Sequence, residues 1–254
     1  MYRNTFLSVM FLACCFNGSL CAQSDAQIYE RTCDAKTYPF SDPSPVATPN
    51  NSYYPYFRFD GFSMQAQEKQ WKMVVLENDY VKLTVTPEIG GKIWGAIDKV
   101  NNKEFVYTNG VVKFRDVAMR GPWTSGGIEF NFGIIGHAPT CSTPIDYLTK
   151  KNVDGSVSCH IFSYEWITRT VWNVEINLPK DKAYFTTHTT WFNQSSIDQP
   201  YYQWMNAGYA TKTGTRFYYP GTYSIGHSGD LHPYPIDEEG RDVSWYDNNN
   251  FGAS

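Results

Sequence analysis

From Tyr53 onward, apolar and polar residues alternate in short runs, the period of half-buried β-strands. In "YVKLTVTP", Val81, Leu83 and Val85 fall on one face, and Lys82, Thr84 and Thr86 on the other. "MVVLEN" before it and "GGKIWGAIDK" after a Gly-Gly turn predict two more strands. "VNNKEFVY" reads as an Asn-Asn turn and another strand. Further strands are expected over 111–115, 127–132, 156–164, 167–178, 183–193 and 203–209. No stretch sustains a helical period, and no internal repeat is visible. Short strands with frequent turns predict an all-β fold of two packed antiparallel sheets.

The flanks read differently. "MYRNTFLSVMFLACCFNGSLCAQ" has a basic start at Arg3, an apolar run from Phe6 to Phe16, and small or neutral residues up to Ala22. Residues 1–22 therefore read as a secretory signal peptide cleaved after Ala22, which implies a secreted or periplasmic protein. "FLAC" ending at Cys14 weakly resembles a lipoprotein acylation site, but the apolar run before it is very short, which favours plain secretion. That run is too short to span a bilayer and no later stretch is longer, so no membrane insertion is expected. Residues 23–52 are polar with Pro39, Pro43, Pro45 and Pro49, and read as an extended leader or linker ahead of a β domain over 53–254. The end, "DEEGRDVSWYDNNNFGAS", shows no clear closing element, so the domain is expected to be cut short and the chain a fragment of a longer product.

Composition narrows the function. Aromatic residues make up 17% of the 254, which suits both β-sandwich cores and the apolar faces of sugar rings. A formal net charge of −4 supplies no basic field for nucleic acid. After signal cleavage Cys33, Cys141 and Cys159 remain. Cys141 and Cys159 flank a hairpin-like segment and are the expected disulfide in an oxidising compartment, with three free buried thiols as the alternative. Phosphate-cradling Gly-rich loops, GxSxG, HExxH and CxxC are all missing from the sequence. That argues against nucleotide enzymes, α/β-hydrolases and metalloproteases, and no cofactor or metal is expected.

The chemistry concentrates in "RGPWTSGGIEFNFG", residues 120–133. Alternation puts Ile128, Phe130 and Phe132 on one face and Glu129 and Asn131 on the other. Glu129 then lines a cleft or sits in a solvent-facing ion pair. Gly126 and Gly127 let a ligand or a neighbouring backbone approach closely. Arg120 and His137 bracket the strand and could join Glu129 in an acid/base or substrate-clamping cluster. His137, in the loop "IIGHAPT", is a proton donor or a turn residue. In "QWMNAG", Trp204 and Asn206 share a face, which makes a sugar platform beside an amide, or places a core Trp. His188 reads as structural. His227, His232 and Asp230 give a weak metal signal, and the acidic group Asp237, Glu238, Glu239, Asp242 and Asp247 reads as a solvated loop.

"LENDYVKLTVTPEIGGKIWGAIDKVNNKEFVY" resembles the opening of galactose mutarotase-like domains, with Leu83, Val85, Pro87, Gly90, Gly91 and Ile93 matching the pattern L-x-V-x-P-x-x-G-G-x-I and Asn78 as the Asn that precedes it, five positions before Leu83. "HTTWFNQSSIDQPYYQWMNAGY" resembles a later part of the same domains. With "RGPWTSGGIEFNFG" and "GHAPT", the whole resembles a secreted bacterial family of unknown function, often fused to tetratricopeptide repeats, found in polysaccharide degraders. The resemblance implies a supersandwich of two large antiparallel sheets with a sugar-binding concave face. It also implies an acid/base pair of His and Glu. The sequence departs at "QWMNAG", where those domains carry their acidic His, so simple mutarotation is not expected. Two functions remain. One is a carbohydrate-active enzyme, glycosidase or epimerase-like, with Glu129 and His137 catalytic and Arg120, Asn131, Trp204 and Asn206 binding substrate. The other is a carbohydrate-binding domain without catalysis. A glycosidase would need a second carboxylate ~5–9 Å from Glu129.

Overall fold

The computed structural model describes residues 24–42, 60–117, 121–133, 137, 139–165, 168–200, 202–226 and 228–249. The chain runs through β1 (Gln27–Tyr38), β2 (Gln67–Glu77), β3 (Val81–Thr86), β4 (Lys92–Asp98), β5 (Lys103–Val106) and β6 (Val112–Lys113). The short pair β7 (Arg115–Asp116) and β8 (Pro122–Trp123) precedes β9 (Ile128–Phe132). A 3-10 turn at Pro139–Ser142 leads into β10 (Asp146–Lys151), β11 (Val157–Glu165), β12 (Thr170–Leu178) and β13 (Thr186–Asn193). Then come β14 (Gln203–Ala207), β15 (Tyr223–Ile225) and β16 (Leu231–Pro233).

Two sheets carry the fold. The larger has eight strands in the order β14-β9-β4-β3-β2-β1-β6, with β5 also on β4. The smaller is β10-β11-β12-β13. The alternation read in β3 is the reason they pack. Leu83 and Val85 join Val74, Leu76, Ile93, Ile128, Phe130 and Phe132 on one face of the large sheet. These meet Val157, Cys159, Ile161, Trp172, Val174, Ile176 and Leu178 from β11 and β12. The ring of Phe132 stacks on Trp172 at 4.4 Å and 11°, across the sheets. On its other face the large sheet carries a second apolar cluster of Trp71, Met73, Ile89, Trp94, Val112 and Phe114.

Asn78, the Asn that precedes the matched opening motif, has a structural role. It is 4% exposed. Its Oδ1 accepts from the backbone N–H groups of Tyr80 and Val81, at 2.8 and 2.7 Å, closing the β2–β3 turn. Its Nδ2 donates to the carbonyls of Pro179 and Lys182, at 2.7 and 2.8 Å, fastening that turn to the β12–β13 connection. At Gly90, with φ +65°, a Cβ would stand 2.5 Å from the carbonyl oxygen of Cys141, so only glycine lets the Pro139–Ser142 turn close against β4.

Four sequence expectations need correction. Residues 23–52 are not simply a leader or linker: Gln27–Tyr38 is a strand of the large sheet, paired antiparallel with β2 from Gln27↔Glu77 to Thr37↔Gln67. The large sheet is not purely antiparallel, because β1 runs parallel to β6. Its partner sheet is half its size rather than a second large one. Cys141 and Cys159 are free thiols. The expected hairpin exists, but Cys159 stands opposite Thr149, well past the turn that carries Cys141. Cys159 packs in the inter-sheet core, where burial pushes its thiol up to about 12. The signal-like stretch with Cys14 lies outside the described residues, as do 43–59. No helix among the described residues is long and apolar enough to cross a membrane.

Candidate functional site

β9 presents Glu129 and Asn131 on the face of the large sheet opposite the inter-sheet core. β14 lies antiparallel beside it with Asn206 opposite Glu129 and Trp204 opposite Asn131. Directly paired residues share a face, so these four side chains stand on one patch. The two glycines before β9 serve backbone packing. Gly127, at φ +67°, would put a Cβ 2.3 Å from the carbonyl oxygen of Ile93, and its N–H donates to the Tyr107 carbonyl at 2.8 Å. The close approach is thus the neighbouring strand β4.

Glu129 is not solvent-facing: it is 2% exposed, and Asn131 is fully buried. Glu129 Oε1 accepts from Asn131 Nδ2 at 2.9 Å and lies 2.9 Å from His137 Nδ1. An ionised carboxylate can only accept, so the ring that meets it presents Nδ1–H and leaves Nε2 outside that bond. His137 holds φ +52°, a left-handed backbone that is uncommon for a non-glycine residue and clusters at functional sites. Two indoles flank its ring edge-on, Trp204 at 4.8 Å and Trp123 at 6.0 Å between centroids. Among the described residues, Glu129 Oε2 and the Nε1 atoms of Trp123 and Trp204 are buried without a hydrogen-bond partner. Unsatisfied buried polar atoms are rare, and three on residues touching or flanking one histidine mark a place built for polar contact.

Lys92 completes the constellation, and sequence reasoning missed it. It is 1% exposed. Its Nζ donates to the carbonyl of Thr124 and, at 3.0 Å, to its hydroxyl, and stands 3.8 Å from Glu129 Oε2. Burial pushes the ammonium below the ordinary lysine range, while the charge of Glu129 opposes that shift. A lysine one residue before a core isoleucine in "GGKIWG" was the available signal, since alternation already set it on the face away from Ile93. Cys141 lies close by, and burial with Glu129's charge pushes its thiol up, so it stays neutral.

Other expected residues fall elsewhere. Arg120 lies outside the described residues, as does His227. His188 is exposed on β13. Among the described residues no group of His, Cys, Asp or Glu is arranged to hold a metal. Within the acidic loop, Asp237 accepts from Arg241 and Asp242 accepts from Ser244, so both carboxylates brace local turns.

A family model described as a domain of unknown function, DUF5107, matches residues 48–254. Among solved structures, a TPR-domain containing protein from Parabacteroides distasonis is similar, with a TM-score of 0.71 and 25% sequence identity, over 79% of this chain and 35% of that one. The chain thus spans about a third of that protein's length. With most of its length matched by the family model, the chain belongs to the DUF5107 family.

Proposed function

We propose that this chain is a carbohydrate-active domain of the galactose mutarotase-like kind, with its sugar site around Glu129 and His137. The observation that carries the reading is the dyad of buried Glu129 and half-buried His137, flanked by Trp123 and Trp204. Indole faces suit the apolar face of a pyranose ring, and their N–H groups suit its oxygens. A histidine gripped through Nδ1 by a carboxylate can take or give a proton at Nε2. Asn131 and Asn206 would orient hydroxyl groups, and Arg120 would clamp them. The Glu129–His137 pair by itself supports epimerase-like proton transfer, whereas glycoside hydrolysis would call for a second carboxylate ~5–9 Å from Glu129.

The second reading, binding without catalysis, draws on the burial of Glu129, whose side chain is 3% exposed. A panel of oligosaccharides separates the two. Under the enzyme reading, Glu129→Gln keeps binding and lowers turnover by a factor of ~10² or more. Under the binding reading there is no turnover in the wild type, and Trp204→Ala weakens affinity by about 1–3 kcal/mol through lost ring burial. A protein that neither retains nor converts any sugar of the panel would sink both.

The same reading places the protein outside the cytoplasm, in polysaccharide utilisation. As in the Parabacteroides relative, tetratricopeptide repeats would accompany the β domain in a longer protein. Sequencing of the exported protein should find a mature N-terminus at Gln23. A retained Met1 or an acylated Cys14 would count against it.

A further inference from the structure

One carboxylate in the site faces two groups able to carry its counter-charge. His137 Nδ1 lies 2.9 Å from Glu129 Oε1, and Lys92 Nζ lies 3.8 Å from Glu129 Oε2. Lys92 Nζ is held by two acceptors, the Thr124 carbonyl and hydroxyl, and Glu129 Oε2 stands within ion-pair range of it without a hydrogen bond. An ammonium in that place supplies counter-charge to a carboxylate removed from water, which a neutral amine would not.

We infer that Lys92 is a positioning residue for His137, supplying the counter-charge of Glu129 so that the imidazole stays bound through Nδ1–H and keeps Nε2 free of a proton. This rests on the acid/base reading of the dyad given above. With Lys92 in place, a second proton on the ring would set two cations against one carboxylate in a poorly screened pocket. Without Lys92, a proton taken from solvent onto Nε2 would turn the ring into the carboxylate's own counter-ion, so the base would be consumed before any substrate arrived. Among the described residues, the other titratable groups nearby do not fill that role. Cys141, on the turn after β9, is a neutral thiol. Asp116, on β7 where Arg115 pairs with Trp123, is an acid whose carboxyl is pushed up by burial and by Asp60. β14 contributes the uncharged Trp204 and Asn206 to this patch.

The test reads the proton directly and needs no sugar. Long-range proton–nitrogen spectra of the full chain labelled with nitrogen-15, with His137→Gln to assign the signals, should show Nδ1 protonated and Nε2 bare near neutral pH. Lys92→Met should raise the doubly protonated fraction by about tenfold or more, equivalent to one pH unit. Lys92→Arg should restore the wild-type pattern. If Lys92→Met does not fold, Lys92→Gln keeps a donor for Thr124 without the charge and should behave alike. A folded neutral variant with the wild-type nitrogen pattern overturns the inference, and so does a wild type already protonated at Nε2. A Lys92-dependent pattern in a protein that handles no sugar would uphold this coupling and sink the carbohydrate reading.

Discussion

Truncating Trp172 to alanine should destabilise the fold by about 3–5 kcal/mol, the range for a large aromatic deleted from a packed core. Trp172 is 2% exposed and comes from the middle of the small sheet. Its ring stacks on Phe132 of the large sheet at 4.4 Å, and Phe132 also meets Trp191 at 5.4 Å. The stack is therefore a bolt between the two layers. Removing it opens a cavity that neither sheet can close without bending its ladder, and it forfeits the ring–ring term of about 0.5–1.5 kcal/mol as well. Trp172→Phe, which keeps a ring, should lose much less. Guanidinium unfolding measures both: the midpoint should fall with the slope unchanged. A loss below about 1 kcal/mol for the alanine variant would mean that the stack does not join the layers. Phe132 sits next to Asn131 on β9, so loosening the bolt should also loosen the site on the opposite face of the same strand.

The two-sided reading of β9 shows what a sequence can reveal here. A period of two assigns faces without knowledge of partners, so Ile128, Phe130 and Phe132 were legible as core, with Glu129 and Asn131 opposite them. The same logic put Trp204 and Asn206 on one face of β14. It could not say that β14 pairs with β9, because register between strands seventy residues apart is a tertiary fact. Nor could it say that Glu129 is buried, since its cover comes from His137 and Lys92. Strands that lack the alternation are harder to read: β1 falls in the stretch expected to be a leader, and β10 is signalled only by its hairpin-like setting. "QIYERTCDAKTY" of β1 is exposed at most positions, and "DYLTKK" of β10 is exposed at all but Tyr147. β10 is the edge of its sheet, and β1 is flanked there only by the two-residue β6. Edge strands tolerate polar residues on both faces, and lysines at an edge discourage pairing with other chains. The disulfide failed for a related reason: spacing suggested a hairpin, but only register showed Thr149 opposite Cys159.

Breaking the Lys92–Glu129 pair from either side should cost about 3–5 kcal/mol, because each single change leaves one charge buried without its partner. The side chains are 1% and 3% exposed, so water cannot make up the loss. Lys92→Met strands a carboxylate that still holds Asn131 and His137. Glu129→Leu strands an ammonium that still holds Thr124. The double variant Lys92→Met/Glu129→Leu removes both charges, and its cost should fall short of the sum of the singles by more than about 1 kcal/mol, the mark of directly coupled groups. Simple additivity in urea unfolding would refute the coupling. The pH dependence carries a second signature. Burial lowers Lys92 below its free value of 10.5, so above its folded value the unfolded chain binds the extra proton. Stability from this group should therefore be lowest below the folded value and rise as pH climbs toward 10.5. Glu129 opposes that lowering, so the rise should be steeper and begin nearer neutrality in Glu129→Leu than in the wild type, and it should vanish in Lys92→Met. A Glu129→Leu variant with a flat alkaline profile would mean that Lys92 is not held as a buried cation, and the charge balance around His137 would fall with it.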